Sequence, residues 1–132
     1  MFALDSKILV VDDMMTMRKL VIKCCKEIGF QTFVEAADGA LGWEQINTAN
    51  PPFSLIISDW NMPNSSGVDL LRRVRSDSRF KNLPFILVTA ESEKSQVLEA
   101  VQAGVSNYVV KPFTTDILRQ KLEDAHKRYA GK

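Results

Sequence analysis

A chain of 132 residues with 45% hydrophobic and 25% charged content has the make-up of one globular domain that can bury a sizeable core. Its net charge of +1 comes from scattered Lys and Arg, which argues against a nucleic-acid binder, and no apolar run reaches the ~20 residues of a membrane span. The start of the chain carries no secretory pattern, and Cys24 and Cys25 are adjacent, without metal-ligand or disulfide-framework spacing; a reducing, cytoplasmic setting is expected.

Strand-like and helix-like runs alternate from the start. Residues 7–12, "KILVVD", form a β-branched run suited to a strand covered on both faces. Met17, Leu20, Val21, Cys24 and Ile28 then recur at helical spacing, and Gly29 closes that helix. Residues 32–36 read as a weaker second strand. Asp38 caps a helix reaching about residue 47, and Pro51-Pro52 forbids its extension.

Residues 54–59, "SLIISD", are the third strand. Ser66 and Asp69 occupy capping-box positions ahead of a helix that turns Val68, Leu71 and Val74 inward. Residues 84–90, "PFILVTA", are the fourth strand, opened by a proline where one is tolerated. Ser92 caps a helix with Val97, Leu98 and Val101 on one stripe, ended by Gly104. Residues 106–113 are the fifth strand, and Thr114 or Thr115 caps a last helix with Leu118, Leu122, Ala125 and Tyr129 on one face. His126, near the end of that helix, suits its dipole better than it suits a metal.

Five β-α pairs in a row give an α/β, doubly wound (βα)5 fold: a parallel five-stranded sheet with helices on both faces. Such sheets bind ligands beyond the carboxyl ends of their strands. Those ends are polar here. Asp12 and Asp13 follow the first strand, Asp59 ends the third, Thr89 the fourth and Lys111 the fifth. Three converging carboxylates repel one another and need a positive partner. Oxygen ligands without His or Cys favour Mg2+, and Lys111 adds a fixed cation.

The pattern suits placing a phosphoryl group on a carboxylate. Asp59 stands alone at a strand end with a loop after it, which makes it the best nucleophile; Asp12 and Asp13 are better placed to hold metal. The Thr89 hydroxyl is a small donor for a phosphoryl oxygen, and Trp60 is expected to line the pocket, partly buried.

"VVDD", "SDWNMPNSSG", "VTAE" and "YVVKPF", in that order, resemble the receiver domains of bacterial two-component response regulators, from about residue 7 to residue 125. "DWNMPN" and "QAGVSNYVVKPFT" are similar to the chemotaxis members. The resemblance implies a flavodoxin-like sheet of order 2-1-3-4-5, an order described for the chemotaxis type itself and not read from periodicity. It implies phosphorylation of Asp59 by a histidine kinase, with Mg2+ on Asp13, Asp59 and the backbone carbonyl of Asn61, and Asp12 acting mainly through water. Lys111 would pair with phosphoryl oxygens, ahead of a cis bond to Pro112. Thr89 and Tyr108 match a switch pair, and Asn61 and Glu91 match positions that tune dephosphorylation.

By the same resemblance the partners are a chemotaxis histidine kinase, the flagellar motor switch and a dedicated phosphatase, and the output is protein binding. The chain is expected to be a single receiver domain without an output domain, monomeric, and not an enzyme beyond its own phosphorylation and dephosphorylation. One departure stands out: Ser65-Ser66 precede Gly67 where many relatives have Met-Asp. Two other roles stay open on the residues alone. One is a phosphate sink or phosphorelay shuttle that never touches the motor. The other is an aspartyl-nucleophile phosphohydrolase, against which Asn61 occupies the place of the usual general acid.

Overall fold

The computed structural model describes residues 2–63, 65–90 and 94–130. Strands and helices alternate as β1 (Lys7–Val11), α1 (Met15–Ile28), β2 (Thr32–Ala36), α2 (Gly39–Thr48), β3 (Leu55–Asp59), α3 (Gly67–Ser76), β4 (Phe85–Thr89), α4 (Lys94–Ala103), β5 (Asn107–Val110) and α5 (Thr115–Ala130). All strand pairs are parallel, in the order β2-β1-β3-β4-β5. The expected α/β architecture and strand order hold.

Side chains of a strand alternate between the two faces of the sheet, and that alternation divides the core. Ile8, Val10, Leu55, Ile57, Ile86, Val88 and Val109 meet α1 and α5 on one face. Leu9, Val11, Ile56, Phe85 and Leu87 meet α2, α3 and α4 on the other. With apolar cover on both sides, the strands need the near-continuous Ile, Leu and Val they carry.

Local chemistry sets most helix ends. The Asp38 carboxylate accepts from the Leu41 N–H at 2.8 Å, and the Ser66 hydroxyl accepts from the Asp69 N–H at 3.2 Å. Thr114 caps α5 by accepting from the Ile117 N–H at 3.2 Å, while Thr115 donates to Glu27 across to α1. Gly29 and Gly104 follow α1 and α4 at φ of +126° and +91°, a backbone region that disfavours a Cβ. The expected Ser92 cap lies outside the described residues, as does the side chain of Tyr129.

Three expectations need correction. The fifth strand ends at Val110 rather than residue 113, because Pro112 has no N–H with which to continue the ladder. Leu20 is exposed; the buried face of α1 runs through Val21, Ile22, Cys24 and Cys25, which leaves Leu20 on its rim. In α4 Ala100 is fully buried and Val97 half-buried, whereas Leu98 and Val101 are 54% and 59% exposed. One short helix packed along α3 can turn only a narrow stripe inward, and apolar character alone does not decide which residues fill it. His126 is half-buried and meets the ring of Phe2 edge-on, with centroids 4.9 Å apart.

Candidate functional site

The sheet's hydrogen-bond ladder continues past the strand ends and fixes the backbone of the polar residues there. The Asp12 N–H donates to the Ala36 carbonyl at 3.1 Å, the Trp60 N–H to Val88 at 2.9 Å, and the Lys111 N–H to Thr89 at 2.7 Å. Parallel strands place all of these residues along one edge of the sheet. Carboxylate oxygens of Asp12, Asp13 and Asp59 lie within 4.8 Å of one another. The Lys111 ammonium sits 2.7 Å from Asp59 Oδ1. Residues spread over about a hundred positions of sequence meet in one cluster.

Burial makes the cluster electrostatically tense. Asp12 and Asp59 are only 3% and 6% exposed, whereas Asp13 faces solvent. Burial first, and then the charge of Asp59, push the Asp12 carboxyl up to about 6, although the Met14 N–H donates to it at 2.9 Å and Lys111 opposes the rise. The buried Asp12 carboxyl thus stands beside that of Asp59, and the Lys111 ammonium lies against Asp59. The donor set is all hard oxygen, with one solvent-facing carboxylate as an entry point. It fits Mg2+, a small cation that takes one or two carboxylates and keeps several waters. Asp12, Asp13 and Asp59 are the residues that would hold it.

The other expected residues that are described lie on or just after β3, β4 and β5. Thr89 ends β4, buried, with its hydroxyl 3.4 Å from Gln96 Oε1 of α4. Tyr108 lies on β5 opposite Leu87, half-buried, with the Lys121 ammonium 5.2 Å from its ring centroid. Asn61 is exposed directly after the Asp59 strand. The Lys111–Pro112 bond is cis, and so is Asn50–Pro51. Glu91 lies outside the described residues. Trp60 is 7% exposed and joins the core on the α2, α3 and α4 side, deeper than a pocket-lining ring needs to be.

Two glycines were not marked as site residues by their sequence context. A Cβ on Gly67 would overlap the carbonyl oxygen of Asp59 and press Leu87 Cδ2 at 2.9 Å. Only glycine lets α3 start hard against the end of β3, where the Gly67 N–H donates to the Trp60 carbonyl at 2.8 Å. A Cβ on Gly39 would meet Ser65 Oγ at 2.6 Å, so the unusual Ser65 packs against the start of α2. The signal for Gly67 was its place shortly after the strand-end acid. Nothing local marked Gly39.

A sheet edge that gathers acids, a lysine and a threonine on a (βα)5 frame defines a receiver module, and the family model agrees. The chain belongs to the response regulator receiver domain family, whose model matches residues 8–123. Within that family, curated relatives 42–47% identical to it are chemotaxis proteins. It is 46% identical over 125 residues to Chemotaxis protein CheY of Pseudomonas aeruginosa, covering 95% of this chain and 99% of that protein. Chemotaxis protein CheY1 of Helicobacter pylori is 47% identical over 117 residues, or 89% of this chain and 94% of that one. Among solved structures, the chemotaxis response regulator CheY4 of Vibrio cholerae superposes with a TM-score of 0.82 at 30% identity, over 92% of this chain and 98% of that one.

Proposed function

We propose that the chain is a phosphorylation switch that carries a chemotaxis signal by changing what its surface binds. The observation behind this reading is the Asp59–Lys111 contact at 2.7 Å inside a cluster with Asp12 and Asp13. A carboxylate oxygen of Asp59 attacks the phosphorus of a phosphohistidine on a partner kinase. The phosphorus–nitrogen bond breaks, its electron pair stays on the imidazole, which takes up a proton, and a mixed anhydride forms on Asp59.

Lys111 stabilises charge on the phosphoryl oxygens, as the ammonium already does for the Asp59 carboxylate. Asp13 and Asp59, with the Asn61 carbonyl and with Asp12 acting mainly through water, would hold Mg2+, which would supply further positive charge there. The Asn61 side chain, with Glu91, tunes hydrolysis. Asn61 in place of an acid two residues past Asp59 leaves no general acid for steady turnover of phosphate esters, so the chain acts on itself rather than as a phosphohydrolase.

The signal leaves through the α4, β5 and α5 surface. Phosphorylation adds about −1.5 to −2 charges and three acceptor oxygens beside Thr89. Thr89 moves toward them, leaving Gln96, and the Tyr108 ring turns into the space vacated; an existing equilibrium is biased. Leu98 and Val101 on α4 and Ile117 on α5 are exposed large apolar residues on the elements either side of β5. They give a protein partner something to bury, which favours an output partner such as the flagellar motor switch over a mute phosphate sink.

The experiment is phosphotransfer from a chemotaxis histidine kinase, with label mapped to the chain. Label on Asp59, absent in Asp59→Asn, supports the reading; label elsewhere or none refutes it. Binding of motor switch peptides with and without beryllofluoride then separates the two roles. Tighter binding in the activated state supports signalling, and equal weak binding in both states leaves the sink.

A further inference from the structure

Arg18, in the first turn of α1, reaches back across the β1–α1 loop. Its Nη1 donates to the Asp12 backbone carbonyl at 2.7 Å, and its Nε donates to Glu35 Oε1 on β2 at 3.0 Å. Lys19 holds the second Glu35 oxygen at 2.7 Å. The Arg18 side chain is 15% exposed, far less than the 60% of Lys19. Glu35 lies below the usual carboxylate range, first through Lys19 and then through Arg18, and stays a charged acceptor.

The carbonyl of Asp12 and the N–H of Asp13 belong to one rigid peptide plane. Fixing that oxygen fixes the direction in which the chain enters Asp13, the solvent-facing member of the acidic cluster. The Asp12 N–H is already tied to Ala36, and its side chain to the Met14 N–H. Without Arg18, the peptide between the two acids is the part of the loop with no other restraint among these bonds.

We propose that Arg18 is a positioning residue for the metal pocket: braced by Glu35, it locks the Asp12–Asp13 peptide and so presets Asp13 for a divalent cation. This deepens the reading of the pocket as a Mg2+ site and rests on it. Charge and geometry predict opposite signs. A guanidinium near a cation site repels the cation, so loss of its charge alone would tighten Mg2+ binding. Loss of a positioning contact weakens it, by about tenfold where outer contacts orient metal ligands.

The test is Mg2+ affinity by calorimetry on the full chain, at fixed ionic strength, with unfolding midpoints measured alongside. Arg18→Met should bind Mg2+ about tenfold more weakly. Arg18→Lys keeps the charge but cannot form both arms of the fork, and should not rescue it. Adding Glu35→Gln to Arg18→Met should cost nothing more, because Glu35 acts through Arg18. Unchanged or tighter binding in Arg18→Met, or full rescue by Arg18→Lys, overturns the proposal while wild-type affinity keeps the pocket reading intact. If Arg18→Met does not fold, Arg18→Lys decides alone: weakened binding supports the lock and wild-type affinity overturns it. A wild-type chain that binds no Mg2+ removes the pocket reading and this proposal together.

Discussion

Val10 and Asp12 are near neighbours on one segment and are almost equally buried, at 1% and 3% exposure. Val10 is packed between strands and α1 or α5 and gains from losing water. Asp12 has lost water too, yet its ionised form is opposed by burial and by Asp59. The middle of the sheet and its carboxyl edge thus share one degree of burial and differ in sign. The middle stabilises the fold; the edge spends part of that stability to keep acids ready for a cation and a phosphoryl group. Readiness at the edge is possible because the middle is so thoroughly apolar.

The contrast can be broken first in the middle. Leu55→Ala, at a fully buried site, should lower unfolding free energy by about 2–5 kcal/mol in urea titrations. A loss under 1 kcal/mol would mean the sheet interior is not what holds the molecule together. At the edge, Gly67→Ala tests backbone rather than side chain. The added methyl must push the Asp59 carbonyl or Leu87 aside, an overpacking cost of about 1–3 kcal/mol. Its mark should include weaker Mg2+ binding, since the displaced backbone is that of Asp59.

Asp12→Asn should act in the opposite direction. A folded-state carboxyl raised from 3.8 to about 6 binds more protons than the unfolded chain between those values. Stability from this group is therefore full below about pH 4 and falls as pH rises through 6. At pH 7 without metal, Asp12→Asn should be more stable than the wild type by up to about 3 kcal/mol, taking 1.36 kcal/mol per pKa unit. The gap should close on acidification and shrink when Mg2+ is added. A variant less stable at pH 7 would sink the picture of a strained edge. Smallest of all, Leu98→Ala belongs to neither region and should change stability by no more than about 0.5 kcal/mol. The same change should weaken partner binding if α4 is an output face.

Much of this was legible in the residues. The continuous β-branched runs of the strands, the helical spacing of apolar residues and the capping side chains Asp38, Ser66 and Thr114 are local signals, and the elements formed where those signals stood. The polar strand ends were legible for a related reason, because parallel topology sends every carboxyl end to the same edge. What misled was apolarity taken as burial: Leu20, Leu98 and Val101 are as hydrophobic as their neighbours, and helix packing left them outside. Arg18 and Gly39 carried no local mark, because their partners are Asp12, Glu35 and Ser65 on other elements.

The sequence by itself determined the alternation of strands and helices, their caps, and which acids, threonine and lysine stand at strand ends, since each follows from spacing and from side-chain chemistry within a few residues. Tertiary structure alone decided how close those groups come, how far burial raises Asp12, why Gly67 must lack a side chain, and which face of α4 meets solvent. Those outcomes depend on distances between segments remote in sequence, and such distances exist only once the sheet and its helices have packed.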